Sequence, residues 1–206
     1  MKRMTKLCRY ALPLMLCLVS VLPVASGQTS ARQYPLPDGS IFQMKVPVSW
    51  QHEFTQELSE LPPTITLRPQ IGEDFVVLVT PLWPAGENSP PPSAEAIREH
   101  VQRVVDKARP QAVEPVITIR ELRGTSGAGY YFSATDKAPK PGEYQFMTQG
   151  IFRVGTLIVA FTVLTNDGQQ AIVDDALTMI KGAVHTRVSA GGPDHAAFRR
   201  GTKASP

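Results

Sequence analysis

Four histidines, two adjacent carboxylate pairs and one glycine-rich serine turn are the residues of this 206-residue chain that could carry chemistry. Histidine is the usual acid, base and metal ligand near neutral pH. His52, His100, His185 and His195 are far apart in sequence, and none has the spacing of a zinc-ligand set. His100 has Glu99 beside it, but adjacent helical residues do not share a face. Gly124-Thr125-Ser126-Gly127-Ala128-Gly129 is the most motif-like stretch. A nucleophile elbow requires G-x-S-x-G at a strand-to-helix turn, whereas here alanine stands at 128 between two strand patterns. A phosphate loop requires a lysine and a following helix, and both are missing. The expectation is a hairpin connection whose glycines supply positive φ. Glu73-Asp74 stands at a strand entrance, and Asp174-Asp175 falls in the first turns of a helix, where it complements the helix dipole. General acid–base work needs two carboxyls in contrasting environments, so Ser126 or one of these pairs is the opening for a hydrolase. The pattern as a whole predicts no catalytic residue, no cofactor and no metal ligand.

Two aromatic residues are candidates for an interaction surface. Trp83 opens the proline-rich loop Trp83-Pro84-Ala85-Gly86-Glu87-Asn88-Ser89-Pro90-Pro91-Pro92. A tryptophan beside a stiff loop serves either as an interface anchor or as a lid on the core. Tyr130 and Tyr131 are consecutive in a strand pattern and point to opposite faces, which leaves Tyr131 as the second candidate.

These residues must be positioned by strands and two helices. Residues 41–46 alternate, with Phe42, Met44 and Val46 on one face, and the strand ends at Pro47. Residues 64–68 alternate likewise, while 75–82 and 157–164 are apolar on both faces, as expected of central strands covered on both sides. Strands are also predicted over 116–122, 130–135 and 144–154, with a turn near Gly155. Ser93 is the predicted N-cap of a helix whose stripe is Ala94, Ile97, Val101, Val104, Val105 and Ala108, stopped by Pro110. Asn166-Asp167-Gly168 leads into a last helix, where Asp167 and Gln170 have capping-box spacing. The expected fold is a single α+β domain: a largely antiparallel sheet of six or seven strands with helices packed on it, an α/β/α sandwich.

Residues 1–27 read as a cleaved secretory signal. Lys2, Arg3, Lys6 and Arg9 precede an apolar run, 11–24, that is shorter than the roughly 20 residues of a spanning helix. Ala25-Ser26-Gly27 supplies a cleavage site after Gly27, and Thr29-Ser30-Ala31 a second after Ala31. The predicted organisation is signal 1–27, linker 28–38, domain 39–185 and a disordered basic tail 186–206. Both cysteines, Cys8 and Cys17, lie in the signal, so the remainder has no thiol and no disulfide. The signal also holds four of the 21 basic residues, leaving 17 against 18 acidic ones, which removes the basic footprint of a nucleic-acid binder. Arg187, Arg199, Arg200 and Lys203 make the tail net basic, allowing weak contact with an anionic surface.

Ile41-Phe42-Gln43-Met44-Lys45-Val46-Pro47-Val48-Ser49-Trp50 resembles the strand-Pro-x-x-Trp opening of PsbP-like domains. Gly129-Tyr130-Tyr131-Phe132 with Phe161-Thr162-Val163-Leu164 resembles their later hairpins, and the last helix resembles their closing one. The resemblance spans 39–185 and implies an α/β/α sandwich shared with a nuclear-import factor that binds the small GTPase Ran. It implies a non-enzymatic binding scaffold in which Pro47 and Trp50 define the fold. It carries no functional residue across. Residues and resemblance together lead to an exported binding or accessory module of the cell envelope, in the periplasm of a Gram-negative bacterium or secreted. Its expected partner is an envelope protein, with no nucleic acid and no stable membrane insertion. A hydrolase and a carrier of a small apolar ligand held between sheet and helix are the alternatives.

Overall fold

The computed structural model describes residues 27–56, 61–83 and 90–187. The predicted signal up to residue 26, the loop segment 84–89 and the tail from 188 onward lie outside the described residues. The chain forms β1 (Thr29–Pro35), β2 (Ile41–Pro47), β3 (Trp50–Thr55), β4 (Thr64–Pro69) and β5 (Val76–Leu82), then α1 (Ala94–Ala108). β6 (Arg120–Arg123), β7 (Ala128–Thr135), β8 (Phe146–Val154), β9 (Leu157–Thr165), α2 (Gln170–Lys181) and β10 (Val184–Thr186) follow. Among the described residues seven strands make one sheet in the order β3-β4-β5-β9-β8-β7-β6, and three make a second in the order β1-β2-β10. Every pairing is antiparallel. This is the α+β domain that the strand and helix patterns predict, with a second sheet added.

The outer face of the seven-stranded sheet carries α1. Ser93 caps it, its hydroxyl accepting the Ala96 N–H at 3.1 Å. Ile97, Val101 and Val105 recur at four-residue steps and are buried; Val101 and Val105 share a cluster with Ile117 and with Phe132 and Ala134 of β7. Each such side chain removed from water is worth about 1.5–3 kcal/mol. The inner face carries α2 and the three-stranded sheet. Phe42 and Val46 of β2, Ile65 of β4, Phe152 and Phe161 of β8 and β9, and Ile180 of α2 meet there in the larger cluster.

Four expectations are corrected. Residues 28–38 are no linker: Thr29–Pro35 pairs with β2 along its whole length, Thr29 opposite Pro47 and Pro35 opposite Ile41. Its polarity concealed it, because Tyr34 alone of its seven residues is buried. Strand 116–122 shortens to Arg120–Arg123, leaving Val116 exposed. The capping box at Asp167 does not form; Gln169 takes the N-cap position of α2, and its carboxamide accepts the Asn166 N–H at 2.8 Å. The glycines of the 124–129 turn are needed for close approach, not for positive φ, which Gly39, Gly72, Gly142, Gly155 and Gly168 adopt instead. A Cβ at Gly124 would overlap the Lys181 carbonyl oxygen, one at Gly127 that of Arg153, and one at Gly129 that of Ile151.

Gly129→Ala is therefore expected to destabilise the fold by about 1–3 kcal/mol, the usual cost of overpacking against atoms that cannot yield. Its denaturation midpoint should fall well below that of wild type. An unchanged midpoint would show that the β7–β8 contact tolerates a side chain.

Candidate binding site

Pro47 closes β2, and the chain turns through Val48 and Ser49 so that Trp50 enters β3 facing inward, only 4 % exposed. The Trp50 ring packs against Phe75 with centroids 4.8 Å apart and planes at 56°. The β4–β5 turn rises beside this pair, reversed by Gly72 at φ 110° and tied back by Gln70, whose Nε2 donates to the Val48 carbonyl at 3.0 Å. The start of α2 forms the other wall. Gln169 is buried there, and its Nε2 donates to the Asp74 carbonyl at 3.2 Å and to Glu73 Oε2 at 3.4 Å.

Between these elements lies a cleft of about 340 Å³, within the size range of ligand pockets. Trp50, Phe75, Pro69, Ile71, Ala171 and Ile172 give it an apolar lining, with Ser49, Glu73 and Gln169 as polar members. Ile71 stands at the turn with 95 % of its surface exposed. Glu73 is exposed at the rim, and no ion pair neutralises it among the described residues, since Arg68 pairs with Asp74 at 3.8 Å. An apolar floor beside one uncompensated carboxylate suits a large apolar side chain adjoining a cation.

The residues singled out from the sequence are distributed elsewhere. Trp83 is partly buried and packs against the larger core cluster. Tyr131 packs partly buried against the same cluster from mid-β7, opposite Gly150, and lines a surface groove with Glu121, Arg123, Asp174 and Lys181. The structure does not bring Trp83 and Tyr131 into one site. Ser126 donates its hydroxyl to the Ala183 carbonyl at 2.8 Å, while its own carbonyl accepts the Gly155 N–H at 3.1 Å. His185 meets Thr156 Oγ1 through Nδ1 at 3.2 Å, His52 lies edge-on to Tyr34 at 5.6 Å, and His100 is exposed on α1. Asp174 accepts from Gln170 at 3.1 Å, and the Asp175 carboxyl is pushed up by burial and then by Asp174. Among the described residues no group of three or more histidine, cysteine or acidic side chains is arranged to hold a metal. No helix among them is long and apolar enough to cross a membrane.

No motif or periodicity in the sequence marks the cleft. Its one visible signal was Ile71, an isolated large apolar residue inside the turn Gln70-Ile71-Gly72-Glu73-Asp74.

Among the described residues two buried polar atoms lack partners, and both flank Phe42. Tyr34 and His185 are its cross-strand neighbours on either side, and Tyr34 Oη and His185 Nε2 are the orphans. Burial pushes the Tyr34 hydroxyl up to about 12, slightly opposed by Arg32. Burial also holds His185 below its ordinary value of 6.5, with Asp38 opposing and Arg187 reinforcing. A proton on His185 is thus bound more readily by the unfolded chain than by the folded one. Stability is unaffected by this group well above pH 6.5 and declines as the pH falls below it. His185→Gln should flatten that acid-side decline in a series of urea midpoints from pH 8 to pH 5. An equal slope in both proteins would assign the decline to other groups.

No family model matches the chain, and no curated protein does. Among solved structures it is similar to the solution structure of cyanobacterial PsbP (CyanoP) from Synechocystis sp. PCC 6803. The identity is 13 %, the match covers 79 % of this chain and 95 % of that one, and the TM-score is 0.44.

Proposed function

We propose that this chain is an exported, non-enzymatic binding module of the cell envelope, periplasmic in a Gram-negative bacterium, which holds a segment of a partner protein in the Trp50–Phe75 cleft. The observation that carries the reading is the solvent-facing Ile71 over an apolar floor, with the Glu73 charge at its edge. Exposed large apolar side chains concentrated at one place mark interaction surfaces, and Val48, 46 % exposed, adjoins this one through its bond to Gln70. The partner segment presents a large apolar side chain next to lysine or arginine. The hydrolase alternative gains nothing from Ser126, whose proton is already committed to a backbone carbonyl. The carrier alternative needs space between sheet and helix, where Phe42, Phe152, Phe161 and Ile180 stand at 0–2 % exposure.

Export with a cleaved signal makes a definite demand on the cleavage point. β1 begins at Thr29, and the Gln28 carbonyl accepts the Val48 N–H at 2.8 Å. Cleavage after Ala31 would delete that bond and three of the seven β1–β2 residue pairs. The exported protein is expected to begin at Gln28, as read from its intact mass. A start at Arg32 would mean that β1 is dispensable.

Capture tests the binding role. Tagged protein recovered from the envelope after mild cross-linking is expected to carry a stoichiometric partner that Ile71→Asp loses and Glu73→Gln retains more weakly. A partner held equally by Ile71→Asp, or none at all across several growth conditions, would overturn the assignment of this cleft.

A further inference from the structure

The cleft asks for a large apolar group followed by a cation, and the chain carries that pair itself. After Arg187 its only aromatic residue is Phe198, and Arg199 and Arg200 follow directly. We infer that segment 196–200 docks into the Trp50–Phe75 cleft of its own chain, with Phe198 over Ile71 and Ile172 and an arginine facing Glu73. The inference rests on the binding role proposed for this cleft and adds its regulation: a partner must displace the tail.

Length permits the connection. The nine steps from Ile172 to the end of α2 cover about 14 Å, and the six from there to Arg187 at most about 20 Å. The cleft wall and the last described residue are therefore no more than about 34 Å apart. The eleven steps from Arg187 to Phe198 reach about 36–40 Å when extended. Charge points the same way. Residues 188–206 contain three cations against Asp194, whereas residues 28–184 contain 13 basic against 17 acidic residues. Glu73 is the carboxylate at the cleft without an ion-pair partner among the described residues.

A disulfide trap tests docking without any external partner. In the full chain with Cys8→Ser and Cys17→Ser, expressed with its own leader, Ala171→Cys and Ala197→Cys supply the only two thiols. Ala171 is exposed on the cleft wall, so the change leaves the floor intact. The expected result is an intramolecular disulfide under mild oxidation, formed about ten-fold more slowly when Phe198→Ala is added, because docking raises the effective concentration of the two thiols. Equal rates with and without Phe198→Ala would overturn the inference, as would a disulfide joining two chains, which would give the cleft to a second copy. Unchanged unfolding midpoints show that the variants remain folded. The trap reports on the tail alone, whereas partner loss in Ile71→Asp reports on the cleft, so the two readings can fail separately.

Discussion

The width of the seven-stranded sheet is the constraint that organises this molecule. Six inter-strand spacings of about 4.8 Å make it about 29 Å wide between its edge strands, and a helix with its side chains covers only about 10–12 Å. α2 lies against β8 and β9 and can shield no more than its near neighbours. The remaining inner face, from Ile65 and Leu67 of β4 to Val77 and Val79 of β5, requires a second cover, and β2 supplies it through Phe42, Met44 and Val46. A lone strand cannot stand there, because its backbone groups need partners. β1 and β10 provide them from opposite ends of the described chain.

The cleft is a by-product of that solution. Two covers of different kind, a helix and a small sheet, share one face and meet along a seam. Where the β2–β3 turn passes the start of α2, Trp50 and Phe75 fill the floor while the β4–β5 turn stands above it. Gln169 fastens the seam, bonding backward to Asn166 and across to Asp74 and Glu73. The other side of the sheet is solved differently. α1 rests on β7 and β8, and the outward residues of β5 and β9 beyond its reach, among them Leu78, Thr80, Ala160 and Thr162, are half-buried. Threonines suit that position, and Thr64 and Thr80 pair their hydroxyls across β4 and β5 at 3.1 Å.

What could be read in the sequence follows from the same geometry. α1 was legible because its cap and its apolar stripe are local, and β9 because seven of its nine residues are apolar and fall on both faces, which admits few alternatives. β1 was not: only Tyr34 faces the core, so its membership in the fold lies in the β2 backbone it pairs with. β10 is three residues long, below any periodicity. The cleft was illegible for a related reason. Trp50, Ile71, Phe75 and Ile172 come from three separate stretches, and nothing in any one of them specifies that they converge. Trp83, the more conspicuous tryptophan beside its prolines, lies outside this cleft and packs partly buried against the core.

The serine turn shows how a chemical-looking sequence is consumed by structure. The last carbonyls of a helix have no intrahelical donor and need one from elsewhere. At the end of α2, Gly182 N–H satisfies Thr178 and Ala183 N–H satisfies Ile180, while the carbonyls of Lys181, the last helical residue, and of Ala183 just beyond it take donors from elsewhere in the chain. The 124–129 turn closes both: the Thr125 N–H reaches Lys181 at 3.2 Å and the Ser126 hydroxyl reaches Ala183 at 2.8 Å. Bringing backbone that close requires glycine at 124, where a Cβ would strike the Lys181 carbonyl, and at 127, where it would strike that of Arg153. Glycine and serine therefore stand together here because they receive the end of a helix. The hydroxyl that a nucleophile would have to free is the donor that holds α2 to the edge of the sheet, and β10 with His185 continues directly from that anchor.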